Sequence, residues 1–425
     1  MMLFSLAVFA VVLFVFAVDL VHRTPAALAG GILLVIAGAI GQEEAIEAVH
    51  WETLGLLVGM MILVGILKDS GVFGYLAIKS AQAAGGRPGL VLIYLAGITA
   101  VLSAFLDNVT TVLLMFPVTL VIARILEEDP IPFLIVEVLA SNIGGTATLV
   151  GDPPNIIIGT VVEELTFMDF IVNLAPPIAV ILLVTLGLVW LVHGRKLRTS
   201  EEDRKGIMAL EAAEEIEDRK LLVRAGAVCG ATVIGFFLQQ VTGLNPAVVA
   251  LAGAAVAMLI CGPEVESVLH EVEWPTILFF VGLFVMVGAL ESTGFIELVA
   301  QSLASASGSL AGTAMIVMWG SAFASGIVDN IPFTATMIPV VEGIAETRGY
   351  DAATTEPLWW SLSLGACLGG NLTLIGASTN LVVAGLVARE GLTAFTFLRF
   401  MLWGLPLTLV ALTISSAYVL VFQLG

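Results

Sequence analysis

The sequence predicts an all-α polytopic membrane protein of two inverted repeats, each with five spans, one re-entrant hairpin and one broken helix. Three observations predict it. Of 425 residues, 59% are hydrophobic and only 12% charged, against about 25% charged in water-soluble chains, and the mean hydropathy is +1.07. Apolar segments long enough to cross a bilayer recur from end to end. Polar, helix-breaking runs interrupt them at two corresponding places. Residues 144–155 (GGTATLVGDPPN) and 369–380 (GGNLTLIGASTN) are identical at six of twelve positions. Irregular backbone inside a membrane is tolerated where it lines a site, and its recurrence in two halves marks a repeat architecture around that site.

The apolar segments fall at 3–21, 25–41, 52–67, 89–106, 110–125, 131–158, 170–192, 221–240, 246–262, 275–290, 309–328, 332–346, 357–388 and 400–423. The first has no basic residues before it and runs directly into a second, so it is read as a retained span and not a cleaved leader. Segments 89–106 and 110–125 meet at Asp107-Asn108, and 309–328 and 332–346 meet at Asp329-Asn330. With both pairs read as hairpins (89–125 and 309–346), ten full spans remain. All Lys and Arg except Arg348, fifteen of sixteen, then fall on one face. The positive-inside rule makes that face cytoplasmic and puts both termini on the extracytoplasmic side of the cell (inner or plasma) membrane.

The halves align outside the motifs as well. Trp51, Thr53, Gly59, Gly65 and Gly71 match Trp274, Thr276, Gly282, Gly288 and Gly294 at a constant offset of 223. Five spans per half invert the second copy. The first repeat is 1–196, with broken helix 131–158; the cytoplasmic linker is 197–220; the second repeat is 221–425, with broken helix 357–388. Segments 68–84 and 291–305 read as amphipathic arms at the membrane surface. The net charge of −19 excludes nucleic acid and anionic lipid as partners. Cys229, Cys261 and Cys367 sit in apolar sequence as packing residues, and neither they nor the four histidines have metal-ligand spacing.

The chemistry concentrates at the tips and breaks. A carboxylate inside a bilayer costs about 2.5–3.5 kcal/mol even on lenient scales, so Asp107 and Asp329 are expected to face water, an ion or a hydrogen-bond partner. Pro153 and Pro154 remove two donors and unwind the chain near Asp152. Freed carbonyls there can bind a cation, and the resuming helix end can hold a polar oxygen.

Residues 103–111 (SAFLDNVTT) and 142–155 (NIGGTATLVGDPPN) resemble the ArsB/NhaD branch of the ion transporter superfamily, which holds arsenite pumps and sodium/proton antiporters, and within it the P-protein-like subgroup. The resemblance covers the whole chain. It implies a secondary transporter, not an enzyme, with substrate or ion ligands at Asp107, Asn108, Thr110, Gly151, Asp152, Asn155, Asp329, Asn330, Thr334, Gly376, Ser378, Thr379 and Asn380. Proton coupling falls to Asp107, Asp152 and Asp329. Proton or sodium is the coupling ion, with no cofactor and no metal beyond a transported cation. The partners implied are the lipid bilayer, a small inorganic solute and a second copy in a homodimer.

The leading expectation is proton-coupled efflux of arsenite, antimonite or a similar solute by alternating access. A sodium/proton antiporter is the main alternative. A dicarboxylate carrier is disfavoured, because family members of that kind carry serine where this chain has Asp107 and Asp329. An intramembrane aspartyl protease using that pair lacks the expected sequence context and leaves Asp152 unexplained.

Overall fold

The computed structural model describes residues 1–18, 21–392 and 395–425, and among them every regular element is helical. The end of the first expected span, at residues 19 and 20, lies outside the described residues. One order of helices runs twice along the chain. The first run is Met2–Val18, Arg23–Ile36, Gln42–Glu47, Trp51–Lys68, Val72–Ala83, Pro88–Ser103, Asn108–Ile125, Pro130–Gly145, Pro153–Val161 and Phe167–Val192. The second is Arg219–Phe237, Pro246–Cys261, Val265–His270, Trp274–Ser292, Phe295–Ala306, Leu310–Val328, Asn330–Arg348, Ala352–Gly369, Ser378–Arg389 and Phe397–Tyr418, with a short turn of helix, Gln239–Thr242, added after its first member.

Among the described residues, seven helices are long and apolar enough to cross a membrane: Gln42–Lys68, Asn108–Ile125, Phe167–Lys196, Arg219–Phe237, Trp274–Ser292, Leu310–Val328 and Phe397–Gln423. Several of the other expected spans are shorter, Arg23–Ile36 having 14 residues and Pro246–Cys261 16. At 1.5 Å per residue, these reach about 21–24 Å of the roughly 30 Å hydrocarbon layer. Large side chains such as Leu3, Ile36, Leu183, Val241 and Leu259 stay exposed on the helix exteriors, as suits helices solvated by lipid.

The two runs interlock crosswise. Trp51–Lys68 packs on Pro246–Cys261, and Trp274–Ser292 packs on Arg23–Ile36. A Cβ on Gly59 would stand 2.7 Å from the Ala250 carbonyl carbon, and one on Gly282 2.5 Å from that of Ala27. Small residues let these backbones touch, which is how apolar helices associate where no hydrophobic effect drives them together.

The arms are helical and one-sided, burying Phe73, Ala77 and Ala81 in one and Ile296, Ala300 and Ala304 in the other. Residues 197–220 pack against the first arm. Gln82 Nε2 donates to the Leu210 carbonyl (2.7 Å), Arg204 Nε to that of Gly85 (3.2 Å) and the Glu217 amide to that of Ser70 (3.1 Å). Within this segment Ser200 and Asp203 cap the helix Glu201–Ala209 reciprocally. Hydrogen bonds from Ser200 and Thr199 hold the Asp203 carboxyl below its ordinary range.

A buried ion-sized cavity between two broken helices

Both breaks open where the sequence stops supporting helix. Pro130–Gly145 runs out at its glycine pair, and the chain resumes at Pro153, with Asp152 extended before it (φ −140°, ψ 134°). Ala352–Gly369 gives way in the same fashion to Ser378–Arg389, preceded by extended Ala377 (φ −146°, ψ 145°). The freed carbonyls are satisfied locally. Asn155 Nδ2 donates to the Thr146 and Thr148 carbonyls (3.0 and 2.9 Å), and Asn380 Nδ2 to those of Gly370 and Thr373 (2.8 and 2.9 Å). These two asparagines brace the irregular loops, because an unpaired buried backbone group costs as much as a lost hydrogen bond.

Each hairpin is stapled to its own break. Ser103 Oγ donates to the Ser141 carbonyl (2.8 Å) and Ser325 Oγ to that of Ala366 (2.7 Å). Gly144 lies against Ala100, where a Cβ would come within 2.0 Å of the carbonyl oxygen; Gly369 meets that of Ala322 at 2.4 Å. Gly151 likewise presses on Ser103, and the Gly376 carbonyl accepts from the Asn330 amide (3.2 Å). Both glycines let the tips approach the breaks.

The tips themselves are helix caps. Asp107 accepts from the amides of Val109 (3.1 Å) and Thr110 (2.8 Å) and from the Thr110 hydroxyl. Asp329 accepts from the Ile331 amide (3.1 Å) and Ser378 Oγ (2.9 Å), and its Oδ2 lies 3.4 Å from Arg23 Nη1. Its backbone stands at φ 96°, ψ 136°, a region that costs a non-glycine residue about 1–3 kcal/mol and clusters at functional sites. Thr334 Oγ1 back-bonds to the Asn330 carbonyl (2.7 Å) inside the helix.

The tips and breaks converge on one carboxylate. Asp152 is fully buried, and its Oδ1 accepts from Asn108 Nδ2 (3.1 Å) and Asn330 Nδ2 (3.3 Å), one amide from each hairpin. Its Oδ2 is buried and accepts no hydrogen bond of normal geometry, with the Cys367 thiol beside the carboxylate; Thr379 Oγ1 is likewise buried and unpartnered. Both residues line a cavity of about 20 Å³, together with Arg23, Asp107, Asn108, Glu273, Thr276, Asn330 and Ser378. That volume holds about one water molecule or one bare ion. Beneath it, Asn142 accepts from Asn108 Nδ2 (3.1 Å) and donates to Oδ1 of Asn371 (2.8 Å) and of Asn380 (3.0 Å), tying the halves together.

Of the residues singled out from the sequence, Asp107, Asn108, Asp152, Asn330, Ser378 and Thr379 share the cavity, and Asp329 joins through Ser378. Thr110, Gly151, Asn155, Thr334, Gly376 and Asn380 sit behind them as caps, contacts and braces. Sequence reasoning missed Arg23, Asn142, Glu273, Thr276 and Asn371. A signal existed for two of them: Asn142 opens the first motif run and Asn371 follows the second glycine pair. Arg23 and Glu273 lie at span ends, where charge is ordinary.

A citrate transporter family model (CitMHS) matches residues 11–365. An uncharacterized transporter of Mycobacterium tuberculosis is 41% identical over 420 residues, covering 97% of each chain. The P protein of Mus musculus is 35% identical over 485 residues, covering 95% of this chain and 58% of that protein. Among solved structures, the YdaH transporter of Alcanivorax borkumensis superposes with a TM-score of 0.58 at 14% identity, covering 88% of this chain and 86% of that one. That likeness concerns the fold.

Proposed function

The chain belongs to the CitMHS citrate-transporter family, and from that premise we propose a secondary active transporter that couples a small inorganic solute to a cation by alternating access. One observation carries the reading: Asp152, whose Oδ2 is unpartnered, lines a water-sized cavity closed by one hairpin tip from each half. A buried carboxylate oxygen left without a donor is expensive, and a proton or a small cation relieves it. Of the three aspartates considered for coupling, Asp107 and Asp329 have both oxygens engaged. Asp152 is the group left free to load.

The class of solute follows from the ligands. Asp107, Asp152 and Glu273 line the cavity with Asp329 beside it, against the single guanidinium of Arg23. This balance repels a free di- or tricarboxylate, although citrate names the family. It suits a cation, or a neutral hydroxylated solute such as arsenite or antimonite that donates hydrogen bonds to the carboxylates. Sodium/proton exchange is the second reading, favoured by the two unpartnered oxygens Asp152 Oδ2 and Thr379 Oγ1; hard cations take oxygen ligands. In both readings the halves act as inverted repeats, with residues 195–224 cytoplasmic and both termini outside.

The test is transport by the full chain in proteoliposomes carrying an internal pH dye and an imposed pH gradient. Sodium, lithium, arsenite, antimonite and citrate are added in turn. Proton flux evoked by arsenite supports the first reading and flux evoked by sodium the second. Flux evoked by citrate alone overturns both.

A further inference from the structure

The two hairpin tips occupy equivalent positions, yet only one meets a positive charge. Arg23 Nη1 lies 3.4 Å from Asp329 Oδ2 and donates to Ser378 Oγ, which itself donates to Asp329 Oδ2 at 2.9 Å. The guanidinium carbon stands 5.3 Å from the centroid of the Phe279 ring, a cation–π distance. A carboxylate, a hydroxyl and an aromatic face together make a monovalent cation's surroundings. The match of Pro25-Ala26 with Pro246-Ala247 puts Leu244 where Arg23 stands, so the second repeat supplies no such residue to the first tip. Asp107, correspondingly, takes part in no ion pair among the described residues.

Arg23 also stands between two spaces. It lines the cavity of about 20 Å³ at Asp152 and a larger one of about 440 Å³, and Ser378 lines both. The larger space carries His22, Asp329 and Arg389 on its wall. A cation arriving through it would reach Asp329 and Ser378 first and find them occupied.

We infer that the Asp329–Ser378 pocket at the second hairpin tip is a second monovalent-cation site, filled by the Arg23 guanidinium as a resident cation. The carrier then has one exchangeable cation site, at Asp152, and one that never empties. The count of exchangeable sites rests on the reading of Asp152 given above; the existence of the second site does not. Removing the guanidinium leaves a buried carboxylate uncompensated beside the larger cavity, and a small cation replaces it.

The experiment is thermal unfolding of the purified full chain in nanodiscs. NaCl or LiCl is titrated against choline chloride at constant ionic strength. Arg23→Ala is expected to unfold at lower temperature in choline and to gain a saturable Tm rise of several degrees with Na⁺ or Li⁺, beyond any wild-type response. Guanidinium chloride at low millimolar concentration should restore the variant's Tm without raising that of the wild type, and Arg23→Lys should keep the wild-type profile. Should Arg23→Ala fail to fold, Arg23→Gln carries the same test, since it keeps the stem and a donor but no charge.

The gain must vanish in Arg23→Ala/Asp329→Asn and persist in Arg23→Ala/Asp152→Asn. Persistence in the latter supports the second site even if Asp152 loads nothing. Its loss there places the cation at Asp152 and overturns the inference. So does an unchanged cation response in folded Arg23→Ala.

Discussion

Asp152→Asn separates the charge of the cavity from its architecture. The amide can keep its oxygen where Asp152 Oδ1 now accepts from Asn108 and Asn330, at 3.1 and 3.3 Å. Its nitrogen then replaces the unpartnered Oδ2, so a donor points where a cation or proton would load. At about 4 Å and an effective dielectric near 20, removing one unit of opposite charge weakens a cation's binding by about 4 kcal/mol. That is about three decades in its dissociation constant. Stability should change by less than about 1 kcal/mol, because both hydrogen bonds survive and the residue volume is unchanged. The assay is pH-gradient-driven exchange in proteoliposomes, with the unfolding temperature of the same preparation measured alongside. Folded Asp152→Asn should lose exchange by at least a hundredfold. Undiminished proton-dependent exchange in the folded variant refutes the coupling role and the cavity as the ion site.

Further outcomes test the scaffold. Gly144→Ala and Gly369→Ala set a Cβ 2.0 and 2.4 Å from carbonyl oxygens of the hairpin, an overpacking worth about 1–3 kcal/mol that should lower Tm in both. Gly97→Ala, with nothing within 4 Å, is the matched control and should leave Tm level or slightly raised. Asn142→Ala leaves acceptors on Asn371 and Asn380 unpaired at about 1–3 kcal/mol each. A double-mutant cycle with Asn371→Ala should show coupling of 0.5 kcal/mol or more, on the order expected of contacting residues, and strict additivity would argue against a working cross-link. Asp203, held below its ordinary range by Ser200 and Thr199, contributes to its helix cap above the unfolded value, and that contribution fades as pH falls through the lower folded one. The protection factors of residues 201–209 against hydrogen exchange, taken relative to intrinsic rates at each pH, should therefore fall below about pH 4 and show no such fall in Asp203→Asn.

Much of this molecule was legible in local sequence. Hydropathy alone identifies a membrane chain, and Pro153-Pro154 with the glycine pairs marks the breaks, because proline and glycine act on backbone within a turn of themselves. Asp107 and Asp329 stood out since a carboxylate amid apolar residues needs a reason. Their equivalence in the sequence did not extend to their surroundings. Asp107 is consumed by its own helix cap, whereas Asp329 is held across 306 residues by Arg23. Asn155 and Asn380 looked like ligands beside Asp152, and their donors turn out to serve loop carbonyls a few residues away.

Periodicity and composition report on neighbours three or four residues apart, and on that basis the chain declares its helices, its interruptions and the residue types at each. That Asp152 Oδ2 is left unpartnered depends on how the halves interlock. Asn330 reaches Asp152 across 178 residues and Asn142 reaches Asn371 across 229. Such pairings follow from the packing of Asn330–Arg348 on Pro153–Val161 and of Ala352–Gly369 on Pro130–Gly145, which brings tips and breaks of the two halves together. Hydrogen bonding at that range is a matter of ångströms, and only the packed structure supplies them.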